Sequence, residues 1–225
     1  MNTQTNRSRR FTESKVPIPG GLGKRRNWLR TGLLISLFAA SAIVHADPIH
    51  DAAKSGDLDQ IQLLIVQGVD VNEKAIRDET PLIIASLAGK GEIVNYLLQR
   101  GANIYARNAS GMTALHAAAY GGHTDIVLLL IAKGARVNDE ANRYLVTPLH
   151  VASEENHVET VQKLLSHGAD TTAVEINGYS AMSRSGFRGH WDVLNVLLAN
   201  GAICQDADKV GDWLFQECSN RANAN

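Results

Sequence analysis

From Ile49 onward, apolar residues recur at three- and four-residue spacing in short bursts, each closed by glycine, and the bursts come in pairs. Gly111 to Asn138, GMTALHAAAYGGHTDIVLLLIAKGARVN, is the most regular example. An Ala-rich burst beginning at Thr113 is followed by the Gly121-Gly122 break and an Ile/Val/Leu burst ending at Gly134. This pattern predicts two short antiparallel helices with one apolar stripe each. The same pair repeats along the chain. Triplets of the Thr-Pro-Leu type begin at Thr80, Thr113, Thr147 and Ser180, with steps of 33, 34 and 33 residues. The closing glycines, Gly68, Gly101, Gly134, Gly168 and Gly201, step by 33, 33, 34 and 33.

A register of 33 residues carrying TPLH-type triplets resembles the ankyrin-repeat family over about Ile49 to Ala202. The resemblance implies an all-α repeat solenoid, in which helix-turn-helix units stack and β-hairpin-like loops join them. Residues 47–205 form the expected repeat domain of five units. The first lacks the triplet and presents Asp51, Lys54, Asp57 and Asp59, as an N-terminal cap needs for solubility. Residues 206–225 are expected to hold a closing helix over Asp212 to Cys218, capped by Asp212 and covering the last unit with Trp213, Leu214 and Phe215, followed by a disordered tail, SNRANAN.

Departures from the repeat locate individual character. The fourth unit has one extra residue before its triplet and places Leu145 where others carry Gly111 or Gly178. Asn156 stands in for Gly89, Gly122 and Gly189, as Asn also visits positive φ. The fifth unit has Ser183 in the histidine slot and Gly186 inside its first helix, at a cost of about 1 kcal/mol against Ala. That unit is expected to be the least stable internal one.

Charge divides the chain further. Residues 1–46 carry eight Lys or Arg against Glu13 alone, while residues 47–225 hold 14 basic and 22 acidic residues, a net charge of −8. The basic segment runs into 12 apolar residues, Leu33 to Val44, and then Val44-His45-Ala46. That run is short of the ~20 residues a spanning helix requires. The layout predicts a secretory signal peptide over 1–46, cleaved between Ala46 and Asp47, leaving no membrane segment and a periplasmic or secreted product. Arg25 to Arg30, RRNWLR, resembles the twin-arginine export motif but has Lys24 where the motif prefers Ser or Thr, so that route and the general one both stay open. Cys204 and Cys218 suit an oxidising compartment and predict a bridge closing a 15-residue loop.

Chemistry is harder to find. His50, His116 and His150 fall in the TPLH slot, where the resemblance implies a structural hydrogen bond. His123, His157 and His190 share a second slot after the mid-unit break. Residues one period apart lie about 10 Å apart in a stack of packed helices, too far for one zinc to gather three. The leader's GGLGK lacks the spacing of a phosphate loop, and no nucleophile elbow or HExxH occurs. The expectation is a non-enzyme with no cofactor and no metal. Acidic charge argues against nucleic acid, which is bound through basic patches.

What remains is surface. In ankyrin-like arrays the resemblance implies a partner-binding face made of the first helices and the loop tips. Along the first helices the candidates are Ile84, Leu87, Ala117, Tyr120, Val151, Glu154, Glu155, Arg184, Phe187 and Arg188. The tips add Arg77, Asp78, Arg107, Asn108, Arg143, Tyr144 and Asn177. Apolar and aromatic groups bordered by both charge signs suit protein recognition. Leu128 and Leu129 mark an apolar spot on the second-helix side, where burial against a neighbouring helix is the simpler reading. The expected molecule is a monomeric exported protein-binding module. Family members in bacterial periplasms are associated with secreted enzymes such as catalases, which makes an accessory partner of such an enzyme the first expectation. An inhibitor or immunity protein against a basic toxin is the second, and a metal buffer or small hydrolase on a repeat scaffold is an alternative of another class.

Overall fold

The structure, a computed structural model, describes residues 48–224; the leader and the cleavage site at Ala46 and Asp47 lie outside them. Five helix pairs follow one another. They are α1 (Pro48–Ser55) with α2 (Leu58–Val66), α3 (Pro81–Leu87) with α4 (Gly91–Gln99), α5 (Ala114–Tyr120) with α6 (Thr124–Ala132), α7 (Pro148–Glu154) with α8 (Val158–Ser166), and α9 (Ala181–Phe187) with α10 (Trp191–Ala199). Each first helix packs on the first helix of the next pair, and each second helix on the next second helix, giving two parallel rows. The chain closes with α11 (Ala207–Val210) and α12 (Asp212–Ala224), the latter lying on α9 and α10.

The triplet builds the first helix of the second to fifth units. Thr80 accepts a hydrogen bond from the Ile83 amide at 3.4 Å, and Pro81 occupies the first turn, where a missing N–H costs nothing. The second helices bury one stripe, such as Ile93, Val94 and Leu97 or Val193, Leu194 and Leu197, between the rows. Each such buried side chain stabilises by roughly 1.5–3 kcal/mol, and the next copy of the unit is what covers it. Leu128 and Leu129 are half-buried on α6, and Leu129 packs against this core.

The joining loops are hairpin-shaped but hold no regular strand among the described residues, only one antiparallel bridge between Val174 and Ser180. They are tied to one another instead. The Ala109 amide donates to Arg77 O at 2.7 Å, Arg143 to Ser110 O at 3.2 Å and Ile176 to Tyr144 O at 2.8 Å. At the turn before each triplet the backbone has positive φ: Asp78 at 58°, Gly111 at 84°, Leu145 at 56° and Gly178 at 80°. Leu145 is thus held in a conformation that disfavours L side chains because its neighbours in the ladder demand it. Asn156 takes φ 63° where the other units use glycine.

The closing element differs from expectation in two ways. The tail is helical to Ala224, because Arg221 pairs with Glu217 one turn earlier at 2.7 Å and stacks over the Trp191 ring at 4.6 Å. Asp212 is the first residue of α12 and not its cap. Leu214 and Cys218 are buried beneath the helix, while Trp213 stays largely exposed, edge-on to Trp191. Cys204 and Cys218 form a disulfide with Cα atoms 5.9 Å apart, pinning α12 to the segment leaving the last repeat. Gly186 also acquires a reason: a Cβ there would stand 2.5 Å from Leu214 Cδ1, so the glycine that weakens α9 makes room for the closing helix.

Candidate functional site: a groove between loops and first helices

Register fixes what faces the groove. Five residues before the triplets at Thr113, Thr147 and Ser180, a side-chain oxygen organises the loop. Asn108 accepts from the Ser110 and Met112 amides at 3.0 and 3.1 Å, and Asn142 from Tyr144 and Val146, both at 3.1 Å. Glu175 holds the same place and accepts from Tyr179 at 3.4 Å. These Asx-type turns aim the residues three and one before the triplet, such as Ser110 with Met112 and Tyr144 with Val146, toward the first helices. The helices answer with the residues four and seven after the triplet's start, Ala117 with Tyr120 and Val151 with Glu154.

The space between is a groove of about 660 Å³ running across the second, third and fourth units to the edge of the fifth. Leu87, Ala117, Val151 and the buried Ile83 supply an apolar base; Met112, Val146 and Tyr144 supply the loop wall; Tyr120 stands at the rim. Tyr120 is 52% and Tyr144 48% exposed, leaving both rings open toward the groove.

Charge gathers at one end. Glu154 pairs with Arg184 of α9 and, at 2.7 Å, with Arg188, the C-cap residue of the same helix. Burial would raise the Glu154 pKa, but the bonds from the two arginines outweigh it and hold the carboxyl below its ordinary value. Arg184 also lies 3.9 Å from the buried Glu175. Beside them, Phe187 packs edge-on to Tyr179 with ring centres 5.1 Å apart.

Among the expected partner-binding residues, Arg77, Leu87, Tyr120, Tyr144, Val151, Glu154 and Arg184 line this groove together. Ile84 lies half-buried against the core, and its neighbour Ile83 faces the groove. Phe187 and Arg188 lie beyond its lining, as does the exposed Arg143. Arg107 is a clasp. Its guanidinium grips Asp139 of the next loop with bonds of 2.9 and 2.7 Å and also donates to Gly111 O at 2.9 Å. Burial would raise the Asp139 pKa, yet Arg107 brings it below the ordinary value. Sequence reading missed Glu79, Met112 and Val146, which share the position just before the triplet. That shared register was the signal available.

Among the described residues, the six histidines in the two repeated slots are held in structural bonds. In the third unit, His116 Nδ1 accepts from the Thr113 amide at 3.3 Å, while Nε2–H donates to Val146 O at 3.0 Å and Asp139 O at 3.1 Å. His150 repeats this, accepting from the Thr147 amide at 3.2 Å and donating to Tyr179 O at 3.2 Å. Burial lowers both pKa values, that of His150 to about 4. His50 Nε2–H reaches Glu73 O at 3.0 Å. The second set staples successive units: His123, His157 and His190 donate to Leu87 O, Tyr120 O and Glu154 O at 3.0, 2.8 and 3.0 Å, each the last residue of the preceding unit's first helix. The His123 ring lies 2.6 Å from where a Cβ on Gly89 would stand, which ties that glycine to the histidine of the next unit. In the fifth unit Ser183 replaces the histidine and bonds Ser180 and Gln205. Among the described residues, no group of three His, Cys, Asp or Glu could hold a metal ion, and no helix is long and apolar enough to cross a membrane.

The family model for ankyrin repeats (three copies) matches residues 49–141 and 139–208. The chain belongs to the ankyrin-repeat family. Such repeats generally mediate protein–protein interaction, and the family is typically non-catalytic.

Proposed function

We propose that this protein is an exported, non-catalytic binding module that captures another protein in the groove between its loops and first helices. The observation that carries this is the groove's make-up: an apolar base, two half-exposed tyrosines and charges of both signs at its edge, drawn from successive units. Two of the groove's polar groups are held in structural bonds, His116 to the loop and Glu154 to two arginines. The basic leader with its short apolar run supports export to the periplasm or beyond, where the module would act as a monomer, and the bridge between Cys204 and Cys218 suits that compartment. An accessory role beside a secreted enzyme such as a catalase fits the family's associations. Blocking a basic toxin is the second reading, favoured by the net charge of −8 over residues 47–225, which would steer a cationic partner inward.

The test is to recover tagged protein from the extracytoplasmic fraction after cross-linking and identify what accompanies it. Tyr120→Ala and Val151→Asp, with the helical signal intact, are expected to lose that partner. Undiminished recovery with both variants would refute the groove as the binding surface.

A further inference from the structure

We propose that the groove takes an extended polypeptide stretch in which an apolar side chain is followed by lysine or arginine; this rests on the groove being the binding surface. The floor of Leu87, Ala117 and Val151 offers room for the apolar group, and the buried His116 that also lines the groove has both ring nitrogens bonded already, to Thr113 and to the next loop. The charges decide what flanks that group. Arg184 and Arg188 are spent on Glu154, and on the loop wall Arg77 stands two residues from Glu79, opposite in sign. Glu155 remains: among the described residues no cation lies within ion-pair distance of it, it lines the groove together with the half-exposed Tyr120, and the charge of Arg188, bonded to Glu154, reaches both only at longer range. A carboxylate next to an open aromatic face is what an ammonium or guanidinium group recognises, through an ion pair and a cation–π contact together. The first helices α3, α5 and α7 also end at this rim, so the negative ends of their dipoles point the same way. An acidic segment would meet repulsion from Glu155 and from the field of the whole array.

The experiment is selection of a random peptide library displayed on phage against the purified protein. Ala117→Arg serves as the blocked control. Arg184 occupies the corresponding position of the fifth unit, so an arginine there is already accommodated by this fold. The expected result is enrichment, on the wild type and not on Ala117→Arg, of peptides carrying an apolar residue followed by Lys or Arg. For one enriched peptide, changing its base to Gln weakens binding about threefold on the wild type, the size of an exposed ion pair, and has no effect on Glu155→Gln. Peptides enriched without a basic residue, or with an acidic one, overturn the proposed chemistry while leaving the groove as a binding surface, and so does a cycle with no coupling. Equal enrichment on Ala117→Arg, or none on either protein, refutes the groove reading itself.

Discussion

Mild acid should destabilise this array through histidines that do nothing but hold loops. His150 is wholly buried, its Nδ1 already accepts from the Thr147 amide, and its Nε2–H points at the Tyr179 carbonyl. A second proton on Nδ1 would face a donor and carry charge into a site shielded from water. Accordingly its pKa falls from 6.5 to about 4 in the folded protein. The unfolded chain protonates near the ordinary value, so between these limits the unfolded state binds more protons and stability rises with pH. Stability is therefore whole above the ordinary histidine value, falls as pH drops below it, and levels off near the folded value. At about pH 5 the loss from His150 spans about 1.5 pKa units, or about 2 kcal/mol at 1.36 kcal/mol per unit. His116 pulls the same way. Asp139 and Glu154, both held below their ordinary values, add losses only at lower pH. The assay is urea denaturation followed by circular dichroism at about pH 7 and about pH 5, on the wild type and on His150→Gln. The variant starts less stable but should lose about 2 kcal/mol less across that window. Parallel losses in the two proteins would show that His150 is not the titrating group and would sink the argument.

Four further outcomes can be checked. Leu145→Gly removes a side chain held at φ 56° and should stabilise by about 0.5–1 kcal/mol; a lower urea midpoint would contradict strain at that turn. Cys218→Ser opens the 15-residue loop and should cost about 3 kcal/mol, read as a falling melting temperature that reducing agent lowers in the wild type alone. Gly186→Val, which drives side-chain atoms into Leu214, should free α12 to protease while leaving the earlier units protected; an uncut α12 would rule out the close approach as the reason for this glycine. Intact mass of the exported product should begin at Asp47, and any other N-terminus refutes the cleavage site.

Local pattern was enough to reveal the stack, since the physics that forms each unit is short-range. A threonine caps a helix three residues on, a proline fixes its first turn, and a glycine ends its partner, so the register could be counted before any contact was known. Substitutions at positive φ were legible for the same reason: Leu145 sits at the slot of Gly111 and Gly178, and Asn156 at that of Gly89, Gly122 and Gly189. Tertiary structure decided what each repeated slot touches. Arg107 and Arg184 look alike in sequence as exposed cations, yet one is locked to Asp139 and the other to Glu154 by side chains about 30 residues away, which no local spacing reveals. The helical continuation to Ala224 depends on Arg221 finding Trp191 across the last repeat, and Gly186 earned its place only when Leu214 arrived beside it. The groove belongs to the same class. Its floor follows from a helical period, but its loop wall of Glu79, Met112 and Val146 needed the hairpins folded back over the helices, a geometry set by bonds between units and not within them.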